Sequence, residues 1–110
     1  MLSASLGCMR MIDLPKPLFE SRQNLATPAA IQALAAAQVA REDLLRRHFA
    51  GDWGDVDPDD GHENDRAIDT GARILSAYVL STGIRVWVIT EAASAAGVRS
   101  ATTLLLPAEY

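Results

Sequence analysis

The sequence predicts an α+β fold in which two or three N-terminal helices are followed by a three-stranded antiparallel β-meander. Helix-start signals recur at Thr27-Pro28 and Asp57-Pro58, and roughly the last forty residues change to β-branched and aromatic runs. The length of 110 residues, 49% of them hydrophobic, suits one domain. We therefore expect residues 1–24 to form a partly ordered arm and residues 25–110 to form a single α+β domain.

The N-terminal arm shows no sustained periodicity and no secretory signal pattern. Its lone Cys8 has no partner for an intrachain disulfide, which fits a reducing cytoplasm. No apolar run approaches the roughly 18 to 20 residues that a bilayer crossing needs, so a cytoplasmic protein is expected. Three methionines are candidate start residues: Met1, Met9 and Met11.

The first helix is expected to begin at Pro28, because Thr27 is a good N-cap and proline is tolerated at the first helical position. Its apolar stripe is interrupted further along by polar residues, which predicts a break or bend near residues 38–41. Gly51 is expected to close the second helical segment, since glycine tolerates the left-handed conformation.

The stretch GDWGD, residues 51–55, is interpreted as a corner in which Trp53 anchors a connector on the core. Asp57 then serves as the N-cap of a third helix, whose first turn carries acidic residues that the helix dipole favours. This helix is expected to end before Gly71. Ile68 is its only large apolar residue, so the helix should lie exposed and be held near its C-terminal end.

Three antiparallel strands are expected in the C-terminal part, over residues 73–80, 84–91 and 100–107. Ser81-Thr82-Gly83 makes a natural hairpin turn between the first two. Glu91 and Arg99 flank the next loop, where an ion pair between them would hold the turn closed. Both faces of the middle strand are partly apolar, which makes a homodimer plausible.

The strongest charge feature is a run of seven acids without a single Lys or Arg, between Asp52 and Asp65. The rest of the chain has ten basic and seven acidic residues. Such a local negative field disfavours direct contact with nucleic-acid phosphates and favours a protein partner with a basic surface. The residues expected to bind that partner are Asp55, Asp57, Asp59, Asp60, Glu63 and Asp65.

Catalytic and metal-binding alternatives have weaker signals. His48 with Asp52 or Asp55 is the candidate proton-transfer pair of a small enzyme. The spacing of Asp55, Asp57 and Asp59 resembles the start of a calcium loop, but the glycine and glutamate that such a loop needs later are Asp60 and Arg66 here. His62 has no second ligand at a zinc spacing. No metal, cofactor or catalytic residue is assigned on this basis.

Four blocks in order, HFAGDWGD, GARILSAY, VWVITEA and RSATTLLLPAEY, resemble a family of small bacterial proteins associated with plasmids and phages. The resemblance covers roughly residues 26–110. The chain departs from the family pattern at Val98, where an acid usually precedes the Arg-Ser pair, and at Gly61, where a charge is common. Some members carry a type I restriction subunit label, but no methyltransferase motif is present here. The resemblance implies a role linked to mobile elements and no specific activity.

The leading functional prediction is a non-enzymatic protein-interaction module, such as an anti-CRISPR or anti-restriction inhibitor. Its acidic surface would occupy the basic nucleic-acid-binding site of a larger complex. Two alternatives remain open. One is a small enzyme with the His/Asp proton-transfer pair, and the other is a structural homodimerisation module.

Overall fold

A computed structural model describes residues 17–110. Most of the expected arm, with Cys8 and the three candidate start residues, lies outside this range. The described elements, in chain order, are β1 (Asn24–Ala26), α1 (Pro28–Ala37), α2 (Arg41–Phe49), α3 (Pro58–Thr70), β2 (Ile74–Val79), β3 (Arg85–Thr90), β4 (Thr102–Leu105) and a 3-10 turn (Pro107–Glu109).

The predicted three-stranded antiparallel meander is wrong, because the sheet has four strands and is mixed. Its strand order is β1-β4-β3-β2. β3 pairs antiparallel with both β2 and β4, whereas β1 pairs parallel with β4, with Asn24 opposite Thr102. β1 has only three residues, too few to show the alternation that identifies a strand in a sequence. Its pairing depends on a contact between opposite ends of the described chain.

The start of α1 follows local capping chemistry. The Thr27 hydroxyl accepts a hydrogen bond from the Ala30 N–H at 3.1 Å, and Pro28 occupies the first position of α1. α1 ends at Ala37, and the C-cap residue Gln38 has the left-handed conformation, with φ of 58°. α2 starts at Arg41, so the predicted break between the two helices is present.

The main core lies between α1, α2 and one face of the sheet. Alternation places Tyr78 of β2, Val86 and Val88 of β3 and Leu104 of β4 on this face. These residues pack with leucines of the two helices: Leu34, Leu44 and Leu45. A smaller cluster at the β2 end of the sheet joins the connector and α3 to the core: Phe19, Trp53, Ala67 and Ile74.

The GDWGD corner covers the open edge of β2. The Ala77 N–H donates to the Trp53 carbonyl at 3.0 Å, and the Asp55 N–H donates to the Ala77 carbonyl at 2.6 Å. Gly54 bridges Ala77 in the parallel sense. A Cβ on Gly54 would lie 2.1 Å from the Ala77 carbonyl oxygen, and its φ is 75°, so only glycine fits.

The side-chain amide of Asn64 on α3 hydrogen-bonds to the main chain at this edge of β2, as a neighbouring strand would. Its Nδ2 donates to the Leu75 carbonyl at 2.8 Å, and its Oδ1 accepts from the Leu75 N–H at 3.2 Å. Asn64 is buried, so these two bonds replace the water that an open edge would bind. α3 is therefore held at its middle by a polar side chain, while Ile68 is only half-buried.

Replacing Asn64 with alanine should lower the free energy of unfolding by about 2 to 3 kcal/mol, because both hydrogen bonds to Leu75 are lost from a buried edge. Urea unfolding followed by circular dichroism measures the change. Asn24→Ala, at an exposed position, is the matched control and should cost less than about 0.5 kcal/mol. Similar losses in the two variants would show that Asn64 does not hold α3.

Candidate functional site

His48 lies in the last turn of α2 and is fully buried. Its Nδ1 is 2.6 Å from the Ser76 hydroxyl and its Nε2 is 2.8 Å from the Thr90 hydroxyl. Neither ring nitrogen is hydrogen-bonded to Asp52 or Asp55, the carboxylates predicted to share a proton with it. The structure does not bring the candidate proton-transfer pair together.

Asp52 and Asp55 instead pair with arginines of their own chain. The Arg47 Nε donates to Asp52 Oδ2 at 2.6 Å, and this bond lowers the pKa of the Asp52 carboxyl and raises that of the Arg47 guanidinium. Arg85 Nη2 lies 2.6 Å from Asp55 Oδ2. Both pairs are half-exposed, so each contributes at most about 1 kcal/mol to stability.

The hydrogen bonds of His48 continue through a chain of hydroxyls that we call the His48 chain. Thr90 Oγ1 lies 2.7 Å from Thr102 Oγ1, which lies 2.8 Å from Ser21 Oγ. Ser21 Oγ is in turn 3.4 Å from the Gln23 carbonyl. The links therefore run from Ser76 through His48, Thr90 and Thr102 to Ser21 near the surface.

One proton arrangement gives every hydrogen of the His48 chain an acceptor. Ser76 donates to Nδ1, Nε2–H donates to Thr90, and each following hydroxyl donates to the next, ending at the Gln23 carbonyl. The reverse direction, in which Nδ1–H donates to Ser76, leaves the Ser76 hydroxyl to donate to the Tyr78 side chain. Both directions therefore fit a neutral His48, in which one ring nitrogen donates and the other accepts.

Burial disfavours the charged imidazolium and lowers the pKa of His48 to about 3, and the positive charge of Arg99 lowers it further in the same direction. Three aromatic rings surround the imidazole, with centroids 5.2 Å (Phe19), 5.5 Å (Phe49) and 5.9 Å (Trp53) away. At neutral pH this side chain is an uncharged structural group without contact to solvent.

The predicted ion pair between Glu91 and Arg99 is not formed, so that prediction is wrong. The buried Arg99 guanidinium donates to three main-chain carbonyls instead, those of Ala67, Ala72 and Glu91, at 2.8, 2.8 and 3.0 Å. Burial lowers the pKa of this guanidinium. Arg99 thus joins the end of α3 to the loop after β3. Its partners are main-chain carbonyls, and no carboxylate is needed.

The acidic segment divides into paired and unpaired carboxylates. Asp52 is held by Arg47, Asp55 by Arg85 and Glu63 by Arg66, and Asp65 Oδ1 accepts from the indole N–H of Trp53 at 2.9 Å. Within residues 17–110, no ion pair or side-chain hydrogen bond engages the remaining three, which are all exposed at the start of α3: Asp57, Asp59 and Asp60. The predicted patch is therefore charged mainly around the first turn of α3.

A groove of about 330 Å³ lies between this first turn and the face of the sheet turned away from α1 and α2. Leu75, Ala77 and Trp87 supply its apolar side. We call it the acidic groove, and its charged lining consists of Asp55, Asp57, Asp60 and Arg85. A neighbouring hollow of about 210 Å³ shares Asp60 and Leu75 with it and adds Glu63, Asn64 and Arg73. Asp59 lines neither.

Metal binding has no support in the described part of the chain. Among residues 17–110, no group of three or more His, Cys, Asp or Glu side chains is placed to hold a metal ion. Within these residues, Asp55, Asp57 and Asp59, despite their calcium-loop spacing, form no such group. None of the described helices is long and apolar enough to cross a membrane.

Comparison of the chain with protein families, with curated proteins and with solved structures finds no significant match in any of the three. The resemblance to mobile-element proteins therefore stays a prediction.

Sequence reasoning missed three residues that shape the candidate site. Asn64, which fixes α3, and Arg85, which holds Asp55, gave no signal of their own, because their partners are distant in the chain. Trp87 had a usable signal. Alternation along β3 places it opposite the buried face formed by Val86 and Val88, which marks it as a large aromatic side chain on the outer face.

Stability should fall as the pH drops below about 6.5, because the unfolded chain then protonates His48 and the folded chain does not. The expected slope from this residue is about 1.4 kcal/mol per pH unit down to the native pKa of about 3. Urea unfolding between pH 7 and pH 5 measures it. His48→Gln should remove this slope, while His62→Gln, which deletes an exposed imidazole, is the control. An unchanged slope in His48→Gln would contradict the assignment.

Proposed function

We propose that the chain acts in the cytoplasm as a non-enzymatic protein-interaction module that presents the acidic start of α3 to a basic surface of a partner. Asp57, Asp59 and Asp60 carry this proposal, because they are the exposed carboxylates of the segment that have no ion pair or side-chain hydrogen bond within residues 17–110. A basic nucleic-acid-binding site is the surface that such a charge complements, as in an anti-CRISPR or anti-restriction inhibitor.

The patch is held rigidly, which reduces the entropic cost of binding. Asn64 bonds the middle of α3 to β2, and Asp65 bonds the same helix to Trp53. Three carboxylates on one ordered turn also generate a local negative field that attracts a basic partner and accelerates association. The same field repels nucleic-acid phosphates, so the partner is a protein and not the nucleic acid itself.

Burial of His48 favours this function over the enzymatic alternative. A neutral imidazole enclosed by aromatic rings has no route to a substrate, and its carboxylate candidates are paired elsewhere. Self-association is a second candidate, favoured by exposed apolar side chains at the β2–β3 hairpin. Val79 and Ile84 are 51% and 45% exposed there.

The triple variant D57N/D59N/D60N should lose partner binding, because it removes the unpaired charge and keeps the side-chain shapes. The tagged protein is used to capture proteins from a nuclease-treated bacterial lysate, followed by elution with duplex DNA. We expect the wild type to retain nucleic-acid-binding proteins that the DNA displaces. The control E20Q/D69N/E91Q removes the same number of negative charges from three exposed acids outside the patch, and it should bind like the wild type.

Two results would contradict the proposal. One is a wild-type chain that retains no protein displaced by DNA, and the other is capture that survives in the triple variant. Sedimentation velocity on the same samples shows whether self-association contributes to the retained material.

A further inference from the structure

The acidic groove has the chemistry of a receptor for one arginine side chain. Its apolar side includes the half-buried indole of Trp87, and Asp57 and Asp60 lie on the helix side of the same hollow. A guanidinium is planar and weakly hydrated, stacks on aromatic rings and forms paired hydrogen bonds with carboxylates. A lysine ammonium is strongly hydrated and matches this combination less well.

The groove already contains a guanidinium from its own chain. Arg85 extends from β3 to Asp55, with 2.6 Å between Nη2 and Oδ2. The Arg85 and Asp55 side chains are 48% and 60% exposed, so this is a weak surface pair that another cation can displace. The pair shows that a carboxylate lining the groove can accept a guanidinium.

The volume of the acidic groove suits one side chain and not the surface of a folded domain. The volume of about 330 Å³ is at the lower end of the range for ligand pockets. The adjoining hollow is less suited to a second arginine, because Glu63 there is paired with Arg66 and Arg73 also lines it. A segment of the partner can therefore place one arginine side chain in the acidic groove.

We propose that the acidic groove binds an arginine side chain from a basic segment of the partner protein, and that Arg85 occupies part of the site in the free chain. The proposal rests on the proposed function and specifies the partner's chemistry. The carboxylates of the groove and the indole of Trp87 together favour arginine. Binding of the partner displaces Arg85 from Asp55 or adds a second guanidinium against Asp57 and Asp60.

The test uses three capped peptides, tetra-arginine, tetralysine and tetracitrulline, with the full chain at low salt. Isothermal titration calorimetry measures each dissociation constant. Tetra-arginine should bind several-fold more tightly than tetralysine, and tetracitrulline, which has the shape of arginine without its charge, should not bind. Trp87→Leu should weaken tetra-arginine binding and reduce the preference over tetralysine, because the stacking surface is lost.

Adjacent acids of the same helix turn provide the matched comparison. Asp60→Asn should weaken tetra-arginine binding by about tenfold, because it removes a charged acceptor inside the groove. Asp59→Asn makes the same charge change outside the groove and should weaken binding less than twofold. Arg85→Gln should tighten binding several-fold, while Arg41→Gln, which removes a charge from α2, should change it less than twofold.

Equal losses in Asp59→Asn and Asp60→Asn, or equal affinities for arginine and lysine peptides, would overturn the groove assignment. The acidic surface would then still account for partner capture, so the proposed function would stand. The opposite outcome is also possible to recognise. If the capture experiment fails but tetra-arginine binds tightly and Asp60→Asn weakens that binding, the groove assignment is supported and the proposed partner class is rejected.

Discussion

The hydrogen bonds of buried His48 are the constraint on which the rest of the structure depends. The imidazole joins α2 to Ser76 of β2 and Thr90 of β3, and the hydroxyl chain extends this connection to β4 and to Ser21 before β1. A fully buried imidazole without these partners would cost several kcal/mol. The pairing therefore fixes how α2 sits on the sheet.

The position of α2 in turn sets the position of the acidic groove. The connector leaves α2 after Phe49, the residue next to His48, and runs along the edge of β2, where Gly54 leaves room for the Ala77 carbonyl. Trp53 packs against the imidazole and bonds Asp65, so the same connector places α3. A single polar cluster in the core thus orients a charged surface that it does not touch.

Signals that act over a few residues allowed much of the fold to be predicted. Thr27-Pro28 and Asp57-Pro58 mark the starts of α1 and α3, and Gly71 ends α3. The parallel pairing of β1 with β4 escaped prediction because β1 is three residues long and its partner is at the other end of the domain. The Glu91–Arg99 prediction failed because main-chain carbonyls compete with carboxylates for a buried guanidinium.

The candidate site was predicted only in part, because some of its contacts join residues that are distant in the chain. The run of acids is visible in the sequence, but which of them remain unpaired depends on arginines that the fold brings in, such as Arg85 to Asp55. The His48 partners had a signal that alternation could reveal. Ser76, Thr90 and Thr102 are polar residues at inward-facing positions of three neighbouring strands, a pattern that calls for a buried polar partner.

The central claim is that His48 is a neutral structural group that fixes α2 on the sheet. Long-range ¹H–¹⁵N correlation spectra of the imidazole test it directly, with His62→Gln used to assign the two histidines. We predict a neutral imidazole from pH 7 to pH 5, consistent with a pKa of about 3. An imidazolium at pH 7, or titration near the ordinary value of about 6.5, would contradict it.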